Sequence, residues 1–199
     1  MTVHCTRNGP IEEVPWTEEE QIVAVNKVHC ALNRVTMNNC HSAVIGTGGT
    51  VRPKCLVAIF RALMVACGLG GTLLDVGCGF GHIILAALMT GFGGACGCEL
   101  PANEVQRGVC YKAKERLGIT PEDLCEWISC DATNLILPAH LCNRITAVYS
   151  FWFGISAEAQ RKTLVLCRET LINVRSVAVY MTQYISAPEH GMTSIQFLL

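Results

Sequence analysis

An aspartate followed by three alternating glycines, Asp75-Val76-Gly77-Cys78-Gly79-Phe80-Gly81, is the stretch of this 199-residue chain best suited to hold a small ligand. Alternating glycines permit a tight turn and leave no side chain between the backbone and whatever approaches it. Leu73 and Leu74 ahead of the loop belong to a predicted strand, and His82 behind it opens a predicted helix. In an open α/β sheet that junction is where ligands bind, because strand ends and a helix N-terminus converge there. Asp75 either orders the loop or meets an amino group of the ligand, and the backbone from Gly77 to Gly81 offers its N–H groups. The other reading is a tight turn with no ligand, although three glycines cost backbone entropy that packing alone does not require.

The spacing decides between ligand classes. A dinucleotide fingerprint reads G-x-G-x-x-G, and here its third glycine is replaced by His82. The run G-x-G-x-G preceded by aspartate favours S-adenosylmethionine (SAM). Glu99 ends the next predicted strand, in Gly97-Cys98-Glu99-Leu100, where a carboxylate can accept from both ribose hydroxyls or serve as a solvated strand-end acid. Asp131-Ala132 ends the third strand. Its acid can take an adenine amino group beside the ring, with Leu100 and Ala132 as neighbours, or it can open a turn. The fourth strand ends in Tyr149-Ser150-Phe151-Trp152-Phe153-Gly154. Tyr149 and Ser150 are the candidate polar groups at a reacting methyl, with Trp152 and Phe153 as channel walls; the alternative has the rings packed in the core.

These residues need a frame that brings strand ends to one edge. Thr17 is a predicted N-cap with Glu20 at the capping-box position, opening a helix that runs to about Asn33 on a stripe of Ile22, Val25, Val28 or His29, and Leu32. Residues 34–50 read as a long loop with a ligand-contacting role, and Pro53 opens a second helix through Ala66. Strands and helices then alternate: strands at 72–76, 95–99, 125–130, 145–150 and 174–184, helices at 82–89, 101–117, 138–142 and 157–171. A last strand follows at 193–199, where the pattern breaks off as it would in part of a longer protein. Alternation of this kind predicts an α/β fold, a doubly wound, mostly parallel Rossmann-like sheet with helices on both faces. Residues 1–71 form an N-terminal helical segment with a cofactor-closing loop, and 72–199 the SAM-binding core.

Composition narrows the function classes. Hydrophobic residues make up 51% and charged residues 16%, which suits a buried sheet and excludes disorder. No apolar run is long enough for a bilayer span, and the first twenty residues lack a leader's pattern, so the chain is expected to be intracellular with no membrane partner. The 13 cysteines are an odd number scattered through apolar segments, and read as core residues in a reducing compartment. Cys96 and Cys98 have no second pair at zinc-ligand spacing, so no metal is expected. A net charge of −1 implies no strong intrinsic nucleic-acid binding.

In order, the Asp75–Gly81 loop, Glu99, Asp131 and the strand end at Tyr149–Gly154 resemble the motif series of class I SAM-dependent methyltransferases over residues 72–185. Within that superfamily, Phe151-Trp152-Phe153-Gly154 and a glycine-bearing loop ahead of a proline-led helix are similar to the Dot (disruptor of telomeric silencing) histone lysine methyltransferases. Tyr149-Ser150 stand where that family has two asparagines. The resemblance implies methyl transfer from SAM to a histone-type lysine, with a histone or nucleosome as protein partner and the nucleus as location. The alternatives are a SAM-binding or diverged non-catalytic scaffold, and a methyltransferase acting on RNA or a small molecule.

Overall fold

A computed structural model describes residues 2–5, 15–39, 51–101, 104–120, 124–152, 155–180 and 193–196. Seven strands form one sheet: β1 (Thr2–Cys5), β2 (Thr72–Val76), β3 (Gly94–Glu99), β4 (Leu124–Ser129), β5 (Ile145–Phe151), β6 (Ser176–Tyr180) and β7 (Thr193–Gln196), in the order β4-β3-β2-β5-β6-β1-β7. The five strands from β4 to β6 are parallel, and β1 runs antiparallel between β6 and β7. Six α-helices are described: α1 (Glu18–Asn39), α2 (Pro53–Cys67), α3 (His82–Thr90), α4 (Glu104–Arg116), α5 (Ala139–Cys142) and α6 (Ala157–Glu169).

Alternate strand residues feed two cores. Leu73, Ala95, Tyr149 and Ala178 face a cluster built with α1, α2, α3 and α4. Leu74, Val76, Cys96, Cys98 and Val148 face a second cluster with Leu141 of α5 and Leu164 and Cys167 of α6. Helices therefore cover both faces, as the period-two pattern of the strands requires.

Two departures from the sequence reading have physical causes. β1 lies in a segment read as helical; four residues carry too little pattern to be seen, and its pairing with β6 and β7 holds it in place. Helix α1 continues past Asn33 because Val35, 1% exposed, extends the stripe of Val25, Val28 and Leu32. Burying a side chain of that size stabilises by about 1.5–3 kcal/mol. What remains of the expected long loop, residues 40–50, lies outside the described residues, as do 181–184 of the strand expected at 174–184 and 197–199 of the last one. The start of α1 follows the predicted capping box: the Glu20 N–H donates to Thr17 Oγ1 at 3.2 Å, and the Thr17 N–H donates to Glu20 Oε2 at 2.8 Å.

The cysteines described are free thiols, with Cys67, Cys78, Cys96, Cys98, Cys110 and Cys167 buried. No helix among the described residues is long and apolar enough to cross a membrane.

Candidate functional site

The site is built where β2 ends. Asp75 and Val76 complete the strand, and the chain then passes through Gly77, Gly79 and Gly81 at φ of +80°, +51° and +79°. Side-chain-bearing L-residues rarely adopt that region, so alternate glycines are what let the chain turn from strand into α3 within five residues. The neighbouring strand holds the loop. The N–H groups of Gly77 and Cys78 both donate to the Cys98 carbonyl at 3.0 Å, and the Gly79 N–H donates to Glu99 Oε2 at 2.8 Å. Glu99 Oε1 accepts from the Leu100 N–H at 2.9 Å. Gly81 turns the chain into α3: its N–H donates to the Cys78 carbonyl, and its own carbonyl accepts from Leu85.

The glycines differ in what lies above them. A Cβ on Gly81 would run into Cys110 Sγ, and one on Gly77 would lie 3.0 Å from Ile155 Cδ1. A Cβ on Gly79 would meet none of the described residues within 4 Å. Gly79 is the point at which the loop backbone is open. Beneath it, Asp75 is 1% exposed, and neither of its carboxylate oxygens has a hydrogen-bond partner among the described residues. Burial, and then the charge of Glu99, hold its carboxyl well above the usual aspartate range. Of the two roles expected for Asp75, ordering the loop is not what its side chain does here.

No family model matches the chain, and no curated protein matches it in sequence. Solved structures do match in shape. One is a candidate RNA methyltransferase from Pyrococcus horikoshii, 16% identical, covering 78% of this chain and 68% of its own, with a TM-score of 0.50. A SAM-dependent methyltransferase from Thiobacillus denitrificans in complex with S-adenosyl-L-homocysteine is 18% identical, over 70% of this chain and 50% of its own, at 0.45. A third, described as a candidate SAM-dependent methyltransferase from Methanococcus maripaludis, is 10% identical over 85% and 63%, at 0.44. The chain shares the fold of the Pyrococcus horikoshii structure, a parallel sheet covered by helices on both faces. At these identities the likeness concerns fold, and the chain spans half to about two thirds of the matched structures' length.

Within this fold the remaining candidate residues separate. Glu99 sits beside the loop at the carboxyl end of β3, and Leu100 next to it is exposed. The Cys130 N–H donates to the Glu99 carbonyl at 2.9 Å, which brings Asp131 to the same edge. Asp131 Oδ1 accepts from the Thr133 N–H at 2.8 Å and from the Thr133 hydroxyl at 2.9 Å, capping a 3-10 turn over Ala132–Asn134. Those bonds hold its carboxyl below the usual range, and the turn reading describes what it does in this structure. Phe80 is half-buried against the α1–α4 core. The Cys78 thiol is buried and pushed up by its surroundings, so it packs as a neutral group.

The residues expected at the methyl are enclosed. Tyr149 is 1% exposed in the first core, and Trp152 is buried in the second beside residues of α6. For Trp152 the packed alternative therefore describes the ring. Ser150 is fully buried and its hydroxyl donates to the Val76 carbonyl at 2.9 Å, tying the end of β5 to the residue before the glycine loop. Phe153 lies outside the described residues. Two contributors at the site carried no sequence signal of their own: the Cys98 carbonyl, which only strand register could reveal, and His29 of α1. The His29 ring meets His82 edge-on, with centroids 5.2 Å apart, at the start of α3. Burial, then the charge of His29, lowers His82 to about 4. Among the described residues, no group of three or more His, Cys, Asp or Glu could hold a metal ion.

Proposed function

We propose that the chain binds SAM at Asp75–Gly81 and Glu99 and transfers its methyl group to an acceptor. The observation that carries this reading is Asp75: an acid buried with no hydrogen-bond partner among the described residues, at the start of a loop whose backbone is open at Gly79. A buried polar group left unpaired costs free energy, and a cationic amino group from the ligand would offset that cost. SAM has such a group on its methionyl end, and it brings a methyl already activated on sulfonium. The protein then has to hold and orient. In this reading the backbone from Gly77 through Cys78, Gly79, Phe80 and Gly81 faces the methionyl part, Glu99 takes the ribose hydroxyls, and Leu100, Asp131 and Ala132 border the adenine. Ser150, bonded to the Val76 carbonyl, acts by fixing the strand end, with Tyr149 behind it.

For the acceptor, the Dot resemblance implies a histone-type lysine and with it a nuclear protein. RNA is the second reading, favoured by the description of the Pyrococcus horikoshii neighbour. Calorimetric titration with SAM and S-adenosylhomocysteine tests the cofactor claim, followed by labelled-methyl transfer to nucleosomes, free histones and RNA. No binding of either ligand would sink the reading. Binding without transfer to any acceptor would point to the non-catalytic scaffold.

Glu99 has two jobs in this proposal, and an alanine there should expose both. Glu99→Ala is expected to weaken SAM by roughly 1.5–3 kcal/mol, the scale of hydrogen bonds to a charged group. With an analogue lacking the ribose hydroxyls, the loss should shrink without vanishing, because the carboxylate also holds the Gly79 N–H. Equal losses for the two ligands would mean that Glu99 acts only through the loop.

A further inference from the structure

The end of β3 holds the glycine loop in a third way, besides the Cys98 carbonyl and the Glu99 carboxylate. A Cβ on Gly97 would lie 2.6 Å from Cys78 Cβ, 2.7 Å from Cys78 Sγ and 2.5 Å from Ile84 Cδ1. Carbon atoms pack at about 3.5–4.0 Å, so no side chain fits while Cys78 is where it is. The φ of Gly97 is not in the left-handed region, so the backbone does not call for glycine there; the space does. Nor can β3 retreat. Gly97 pairs with Asp75 of β2 on one side and Trp127 of β4 on the other.

We propose that Gly97 is a positioning residue for the cofactor loop: having no side chain, it lets Cys78 sink onto the sheet and so sets the height of the Gly77–Gly79 backbone above Asp75. Cys78, 5% exposed, is the one side chain between the first two loop glycines. With it seated on Gly97, the Gly77 and Cys78 N–H groups reach the Cys98 carbonyl, and the Gly79 N–H reaches Glu99. A methyl on Gly97 lifts Cys78 and strains all three bonds at once. The inference rests on reading this loop as the SAM site, but the mechanical claim about the loop stands apart from that reading.

The test compares Gly97→Ala, Cys78→Gly and the double variant by SAM calorimetry, thermal unfolding and amide exchange over residues 77–79. Gly97→Ala should weaken SAM about tenfold or more, the scale on which overpacking is felt, and speed exchange at Gly79. Cys78→Gly alone should lose less. The double variant should bind SAM better than Gly97→Ala and approach Cys78→Gly, since the Cys78 side chain is gone and the contact that remains is with the rotatable end of Ile84. Wild-type affinity in Gly97→Ala, or a double variant as weak as Gly97→Ala, overturns the proposal. If the wild-type protein itself binds no SAM, the cofactor reading fails and exchange decides the positioning claim: acceleration in Gly97→Ala that the double variant reverses supports it, and unchanged exchange overturns it. Should Gly97→Ala not fold, a folded double variant supports the same contact, and a double variant that also fails to fold overturns it.

Discussion

Gly79→Val should abolish SAM binding in a protein that still folds. Two effects act at that position and can be separated. A branched residue at φ +51° is strained, and a left-handed backbone costs an L-residue about 1–2 kcal/mol. The side chain also projects above the loop, where none of the described residues lies within 4 Å. Gly118, just past α4, provides the control. It has φ +69°, and a Cβ there likewise meets none of the described residues within 4 Å, but it follows α4 at the end away from the loop. Gly118→Val should lose stability on the same scale and keep SAM affinity. Gly79→Ala carries the comparison if the valine variant aggregates. Normal SAM affinity in folded Gly79→Val would show that the ligand does not approach the backbone there.

The loop was legible in the sequence because its chemistry is local. Asp75, the three glycines and the change from strand to helix fall within ten residues. Other features depend on contacts that no local pattern records. β1 exists through its pairing with β6 and β7, and Cys98 anchors the loop through a carbonyl that every residue has. Asp131 was ambiguous because a short carboxylate can meet a ligand or its own backbone. Thr133 two residues on, bonded to it through both N–H and hydroxyl, was the sign of the turn. Tyr149 and Ser150 show how far alternation reaches. It puts them on opposite faces, but the register of β5 on β2, with Ser150 opposite Val76, is what turns the serine hydroxyl toward a backbone carbonyl. The burial of Tyr149 likewise follows from α1, α2 and α3 closing over that face.

Asp75→Asn should stabilise the free protein and cost it SAM, and the opposition between the two effects is the signature of a group kept for binding. The folded state holds the Asp75 proton well above the ordinary aspartate value of 3.8, mainly because burial disfavours the charged form. For an acid whose pKa is raised on folding, stability falls as pH climbs from the unfolded value through the folded one, since only the unfolded chain can ionise freely. Asparagine has no proton to lose. The variant and the wild type should therefore unfold alike at the acidic end, and the variant's advantage should grow as pH rises and then level off. At neutral pH the variant should be the more stable, because it escapes the cost of holding a buried acid that the unfolded chain is free to ionise. SAM binding should change the other way. An ionised Asp75 facing the ligand's ammonium makes a charge-assisted bond that asparagine cannot match, so affinity should drop about ten- to a hundredfold. At a pH where the free protein still holds the Asp75 proton, binding must release it, so the wild type's binding heat should vary with the ionisation enthalpy of the buffer and the variant's should not. Thermal unfolding across pH checks the first half and calorimetry in two buffers the second. A variant that binds SAM as tightly as wild type would leave Asp75 a buried acid with no ligand to justify it.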